Sequence, residues 1–386
     1  MHSFIFNSDT GQYERTVPQH PWKKVAILLA ILIIPAVTGW EMYWRSQGYQ
    51  PDYDGTNSLW SEWRKKAENA DNETIVIFGS SRAVFDIDMA TWWEMKGDKK
   101  VIQCAVEGTG PLPIFEDFVK NTDFAGTIVL SVAPDLVFAK HPEFSGFTDS
   151  WAQAKIDYYH KWNPAQKMEH ALQLAIEPHL AFIEQGWLDL RALLTRLPVT
   201  DRPDRMCSPG DPPFFAHYTR YREAKMWDRL LTDTAYTQRI QRVWLGFGAL
   251  DAPRMTASAY QEGTEKMLRG EYRELHPEIE TWRPTELDSF FVRINENVQT
   301  FKKRGGKMIF IRPPSSGGYR PMEAHYFPRE QYWDRLLRET GCLGVHFEDY
   351  PQLQGFELPE WSHMRADHTP AFTRELVKII NEKLKE

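Results

Sequence analysis

Two stretches of this chain carry residue types able to move protons and attack a carbonyl. The first is FGSSR, in which Ser80 and Ser81 follow Gly79 at the close of an apolar run of β type. The two hydroxyls thereby fall at the carboxyl edge of a strand, where parallel α/β sheets form their ligand sites. A serine there sits beside the first amides of the next helix, which can stabilise negative charge developing on a substrate oxygen. The second stretch is LPEWSHM, where Glu360 stands three residues before His363. A carboxylate so placed can hold one imidazole nitrogen while the other takes a serine proton, and it steadies the imidazolium that results. Ser81, His363 and Glu360 are therefore a candidate nucleophile, base and orienting acid. Each stretch alone has a plainer reading, since Gly and Ser are ordinary turn and cap residues and an acid beside a histidine is an ordinary surface turn. Their occurrence together, in the right chain order on a matching α/β pattern, favours the chemical one.

Arg312, at the end of KMIFIRPP, is a candidate for binding substrate or an anion at the same sheet edge, against the alternative of a surface arginine. His368, beside Asp367, is a second candidate base. A metal site built from His363, His368 and Asp367 is disfavoured, because two histidines five apart in a loop fix no geometry. No metal and no cofactor are expected. The three cysteines, Cys104, Cys207 and Cys342, contain no CxxC pair, and their odd number leaves at least one free thiol. A Cys207–Cys342 bridge stays open, while Cys104, in an apolar run, reads as a buried inert thiol.

These residues need a sheet to position them. Apolar runs from Thr74 to Gly79, from Lys100 and from Gly126 alternate with the helix-compatible stretches AVFDIDMATWWEM and PLPIFEDFVKNT. Strands apolar on both faces that alternate with helices indicate a parallel sheet covered on both sides, an α/β fold. The pattern stops near Ala139 and resumes near Glu286 with a helix through FFVRINENVQTFKKRG, the strand KMIFIR, a helix REQYWDRLLRETG, the strand GVHFED and a last helix from Thr369. Residues 73–139 and 286–386 thus read as two halves of one domain. Residues 140–285 read as a mostly helical insertion. In it Leu172, Ile176, Leu180, Ile183, Trp187, Leu190, Leu194 and Leu197 recur at spacings of three and four, as in one or two amphipathic helices bent at Pro178 or Gly186. That stripe packs on the core or serves as a face for the bilayer or a partner, the former being favoured.

The 386 residues carry a net charge of −7, so no global basic field draws the chain to phosphate backbones and nucleic acid is not an expected partner. Residues 25–44 are a candidate transmembrane anchor: about 20 residues at ~1.5 Å each reach ~30 Å, one hydrocarbon thickness. Nine Val, Ile and Leu in that run give roughly −3 to −5 kcal/mol of insertion energy. Arg15, Lys23 and Lys24 precede the run, whereas Arg45, Asp52 and Asp54 follow it. That asymmetry puts residues 1–24 in the cytoplasm and all that follows outside, in a periplasmic or extracellular compartment. A cleaved signal peptide is disfavoured by the long polar leader and the lack of an A-x-A site. Residues 45–72 read as a polar, aromatic linker.

A strand closed by G-S-S, two further strands with Gly-containing ends, and an acid-x-x-His before the last helix together resemble the SGNH or GDSL hydrolase superfamily, over about residues 74–138 and 286–385. GSSR is similar to the nucleophile block, which implies Ser81 as nucleophile with its own amide in the oxyanion hole. VEGTGP is similar to the glycine block, which implies Gly108 as a second amide donor, with Gly110 as the alternative. EWSH is similar to the terminal Asp-x-x-His block with Glu in place of Asp. The third block departs, because SVAPDLVF has no Asn where those hydrolases usually carry one. The resemblance implies a three-layer, flavodoxin-like α/β domain. With an N-terminal anchor, the chain further resembles the membrane-anchored acyltransferases of that type, the D-alanyl transfer protein of teichoic acid operons and the exopolysaccharide O-acetylation proteins. These work beside a membrane-bound O-acyltransferase. The activity so implied is O-acyl transfer to a cell-envelope glycan through an acyl-serine. The alternatives are an esterase or deacetylase with the same site and a non-catalytic scaffold of a membrane complex.

Overall fold

The structure is a computed structural model and describes residues 21–53, 55–139, 144–183, 214–244 and 282–385. Strands β1 (Ile75–Phe78), β2 (Val101–Gln103) and β3 (Thr127–Ser131) precede the insertion. Strands β4 (Ala216–Tyr218) and β5 (Ala224–Met226) lie within it, and β6 (Lys307–Arg312) and β7 (Leu343–His346) follow it. Five of them form one parallel sheet in the order β2-β1-β3-β6-β7, so the insertion interrupts the chain without interrupting the sheet. Numbered within the sheet alone, that is the doubly wound order 2-1-3-4-5, whose topological switch lies between the first and third strands. Ser80 and Ser81 follow β1 directly, and so stand at the switch.

Alternation along each strand sends side chains to opposite faces. Val76, Phe78, Ile128, Leu130, Met308 and Phe310 enter one core, covered by helices Asn57–Glu68, Leu112–Asn121 and Pro284–Lys302. Ile77, Val129, Ile309, Ile311 and Val345 enter the other, covered by Ser81–Asp86, Met89–Lys96 and Thr369–Lys383. The expected parallel sheet with both faces covered is what the chain builds.

Three local features differ from the sequence reading. AVFDIDMATWWEM forms two helices, because Ile87 is extended and the Asp88 side chain caps the second by accepting the Thr91 N–H at 2.7 Å. Residues 45–72, read as a linker, contain helix Asn57–Glu68, in which Leu59, Trp60, Trp63 and Ala67 recur at helical spacing and are buried. The insertion, read as mostly helical, holds the antiparallel hairpin β4–β5. Its turn places Arg222 at φ 64, a left-handed position that glycine usually marks. Helix Pro164–Ile176 ends well before the expected stripe does, and short 3-10 turns at Glu177–His179 and Ala181–Ile183 follow. The stripe residues Trp187, Leu190, Leu194 and Leu197, with Gly186 and Cys207, lie outside the described residues.

Helix Trp22–Ser46 is long and apolar enough to cross a membrane, and its apolar stretch is not buried in the protein. Ile27, Leu28, Ile31, Leu32 and Ile34 are all exposed. At its far end Trp44 is buried against Tyr49 (ring centroids 5.2 Å apart), and Tyr49 packs in turn on Phe214 and Trp227.

Gly79 is where the sheet admits no side chain. A Cβ there would lie 2.7 Å from both Ala83 Cβ on the following helix and Ser131 Cβ on β3. Gly79→Ala is expected to lose about 1–3 kcal/mol through overpacking, read as a lower denaturant midpoint. An unchanged midpoint would show that helix Ser81–Asp86 can back away from β3.

Candidate functional site

Helix Ser81–Asp86 begins where β1 ends, with Ser80 as its extended N-cap. Ser80 is buried, and its Oγ has no hydrogen-bond partner. Ser81, one residue on, is partly exposed. The neighbouring β2 exit is tied to the same place by the Val106 N–H, which donates to Gly79 O at 3.0 Å. Gly108 follows in that loop, exposed, at φ 66 and packed toward Trp151, while Gly110 is buried.

The loop carrying Glu360 and His363 folds over this helix. The His363 ring stacks on Phe85 with centroids 4.3 Å apart and planes 27° from parallel. Phe85 lies four residues after Ser81, so the two share a helix face with Cβ atoms about 5–6 Å apart. The histidine is thereby brought to the face that Ser81 begins. Phe215 and Trp244, both from the insertion, complete an aromatic wall around the imidazole at 5.9 and 6.1 Å. His363 is 2% exposed and Glu360 0%. Glu360 Oε1 lies 2.9 Å from His363 Nδ1, at ion-pair distance but out of hydrogen-bond alignment, and the same oxygen takes the His363 backbone N–H at 2.6 Å. Glu360 Oε2 accepts from Trp244 Nε1 at 2.5 Å. His363 Nε2 has no hydrogen-bond partner, so no Ser81–His363 hydrogen bond is made.

The loop is held by backbone as well. The Ser316 N–H donates to Trp361 O at 2.9 Å, and the Trp361 ring lies over Gly317, leaving no room for a Cβ there. Trp361 itself adopts φ 80, a strained conformation for a bulky residue.

A charge cluster that sequence reasoning missed lies beneath. Arg82 Nη2 sits 2.7 Å from Glu323 Oε1, and Arg312 Nη2 pairs with Glu323 Oε2, all three side chains being buried. Burial alone would push the Glu323 carboxyl up, but the Arg312 and Arg82 guanidinium charges outweigh it and hold the group below the usual range. Burial lowers Arg312 to about 10 despite Glu323. Arg312, expected to meet substrate or an anion at the surface, is instead 3% exposed and bonded inward to Glu323, Ser315 and Pro313 O. Asp135, which lies in the block lacking Asn, is raised by burial and drawn back by Arg82. A cleft of about 450 Å³ opens beside this cluster on the β6–β7 side, lined by Ser315, Ser316, Arg320 and Phe356 among others.

Asp86 is the second missed residue. It closes the Ser81 helix, is fully buried, and accepts the Met364 N–H at 2.9 Å, next to His363. Burial pushes its carboxyl up to about 7, against the pull of the His363 and Arg82 charges. Its one sequence signal was its place in SSRAVFD, five residues after Ser81.

The remaining candidates lie apart from this cluster. His368 is the N-cap of the last helix and takes the Glu357 N–H on Nδ1 at 3.1 Å, while Asp367 is exposed and pairs with Arg365. Among the described residues no group of three or more His, Cys, Asp or Glu gathers to hold a metal. Cys104 is buried, its thiol pushed up to about 12 by desolvation, and Cys342 is unbridged.

No protein-family model, curated protein or solved structure matches this chain.

Two outcomes test the cluster. Glu323→Gln leaves two buried guanidinium groups facing a neutral amide and is expected to cost about 3–5 kcal/mol of unfolding free energy. Denaturant titration checks it, and a loss under about 1 kcal/mol would mean that water already reaches the pair. Asp86 binds a proton more tightly folded than unfolded, so its contribution is present below about pH 4 and is lost as pH rises toward 7. Asp86→Asn should flatten the decline of Tm between pH 4 and 8, while its amide oxygen still accepts the Met364 N–H.

Proposed function

We propose that this chain is an acyl-transfer enzyme whose nucleophile is Ser81, with His363 as base and Glu360 as the acid that steadies it. The carrying observation is the set of buried polar atoms left without partners at one end of the sheet: Ser80 Oγ, Ser131 Oγ, Asp86 Oδ2, Asp135 Oδ1, Arg82 Nη1 and His363 Nε2. Buried polar groups are paired almost everywhere in folded proteins, so a concentration of unpaired ones calls for an explanation. They gather around the exit of β1, the switch point where doubly wound sheets take ligands.

In the proposed reaction Ser81 Oγ attacks an acyl ester carbonyl and its proton passes to His363 Nε2. The ester carbon–oxygen bond breaks and the leaving oxygen takes that proton. An acceptor hydroxyl then attacks the acyl-serine carbonyl, giving its proton to His363, which passes it to Ser81 Oγ as the acyl–serine bond breaks. The step requires a hydrogen bond from Ser81 Oγ to His363 Nε2 at about 3 Å, a bond that is not made in the structure described. The acceptor is proposed to be a cell-envelope glycan, with helix Trp22–Ser46 as the anchor, the N-terminus in the cytoplasm, the sheet domain outside, and a membrane-bound O-acyltransferase as donor partner. With water as acceptor the same site is an esterase or deacetylase.

A scaffold without catalysis is the second reading, favoured by one observation: the imidazole is enclosed by Phe85, Phe215 and Trp244 and is almost inaccessible. Labelling of the full-length protein by a fluorophosphonate, with turnover of an aryl acetate, separates the readings. Ser81→Ala is expected to abolish labelling and lower kcat/KM by at least about 10³-fold. Turnover stimulated by a sugar acceptor selects transfer over hydrolysis. A folded wild-type protein that neither labels nor turns over selects the scaffold.

A further inference from the structure

Helix Pro164–Ile176 has one face fastened to the domain and one face that no other described residue covers. On the inner side His170 is buried with Nε2 2.8 Å from Glu62 of helix Asn57–Glu68, and Leu174 packs against the main core. Turned roughly 120–160° from them, at 100° per residue, are Met168, Leu172 and Ile176. These three are 65%, 58% and 44% exposed. Pro164, Ala165, Ala171 and Ala175 fill the rest of that arc, so roughly 140° of helix surface carries no polar side chain, with Lys167 and Glu169 at its borders. An apolar stripe of this width on a fixed helix requires a cover.

What covers it is indicated by where the helix leads. The 3-10 turn Ala181–Ile183, a few residues on, is bolted to the end of the apolar N-terminal helix. Glu41 Oε1 accepts the Ala181 N–H at 3.0 Å and Oε2 accepts the Phe182 N–H at 3.2 Å, while Arg45 donates to His179 O at 3.2 Å. Glu41 and Arg45 are themselves paired at 2.5 Å. These bonds fix residues 179–183 at the level of Trp40 and Tyr43, exposed rings of the kind that settle at a headgroup boundary. Ile183, 39% exposed, continues the apolar surface on the same segment.

We propose that Met168, Leu172, Ile176 and Ile183 form an interfacial lipid-contact surface, with helix Pro164–Ile176 lying in the boundary between headgroups and acyl chains beside the anchor. Helix Trp22–Ser46 then supplies the anchor, and this second contact sets the tilt of the anchored domain against the bilayer plane. A bilayer suits this face because the apolar arc is bordered by charged side chains and stands where the anchor leaves the hydrocarbon. The inference rests on helix Trp22–Ser46 being in the membrane, and the experiment tests the two separately.

Full-length protein with Cys104, Cys207 and Cys342 replaced by Ala is reconstituted into vesicles of phosphatidylcholine and phosphatidylglycerol. A nitroxide is placed in turn at Ile31→Cys, Leu172→Cys, Ile176→Cys and Lys378→Cys, and its collision rates with oxygen and with a water-soluble nickel chelate are measured. The label at 31 should favour oxygen strongly and the label at 378 should favour nickel. Labels at 172 and 176 are expected to show an oxygen-to-nickel ratio several-fold above that at 378. A ratio at 172 and 176 equal to that at 378 overturns the proposal while leaving the anchor intact. Protection from both agents, or spin–spin broadening between copies, also overturns it, by showing protein as the cover. A water-like label at 31 refutes the anchor itself.

Discussion

One carboxylate, Glu323, holds the candidate-site end of this fold together. It comes from helix Tyr319–Tyr326, beyond β6, and is gripped by Arg82 from the helix after β1 and by Arg312, the last residue of β6. All three are out of water, where an unpaired charge costs several kcal/mol, so none is tolerable without the others. The arrangement therefore locks the exits of β1 and β6 into one geometry. Arg82 also reaches Ser362 Oγ at 3.4 Å across 280 positions of sequence, so the clamp extends to the loop that carries His363. The Gly79 and Gly317 contacts, which admit no Cβ, leave no slack beside that grip.

How much of this the sequence displays depends on the kind of interaction. Strands buried on both faces announce themselves as apolar runs, which made β1, β2 and β3 legible, while β6 and β7 were read from the βαβα order that resumes after the insertion. The acid-x-x-His spacing of Glu360 and His363 is local, and so was readable too. Arg82, Glu323 and Asp86 were not, because a buried ion pair between distant segments has no periodic signature. Arg312 shows the same limit from the other side: an arginine ending a strand looks the same whether it meets solvent, a ligand or a buried glutamate. Helix Asn57–Glu68 was hidden because its buried Trp60 and Trp63 are interleaved with Glu62, Arg64, Lys65 and Lys66. The β4–β5 hairpin was hidden because Arg222, not glycine, occupies the left-handed turn position.

The insertion is part of the site and not an ornament on it. Two of the three rings around His363, Phe215 and Trp244, come from it, and Trp244 Nε1 donates to Glu360 Oε2. Access to the imidazole is thus governed by elements that the sheet alone does not contain. A domain reduced to its two α/β halves would present an open histidine whose carboxylate had lost a hydrogen bond.

The same insertion joins the site to the N-terminal helix by a short path. Phe214 and Phe215, just before β4, face different clusters. Phe214 faces Tyr49 and Trp227, the cluster in which Trp44 of helix Trp22–Ser46 ends, while Phe215 stacks on Phe85 at 5.3 Å and approaches His363. The Trp227 N–H donates to Phe215 O at 2.8 Å, which fixes the segment between the two clusters. From the end of the apolar helix to the imidazole the path is therefore a handful of packed rings, with no flexible tether. Close-packed aromatic contacts transmit position because displacing one ring displaces its neighbours. The orientation of the sheet edge relative to helix Trp22–Ser46 is in consequence a built property of the fold.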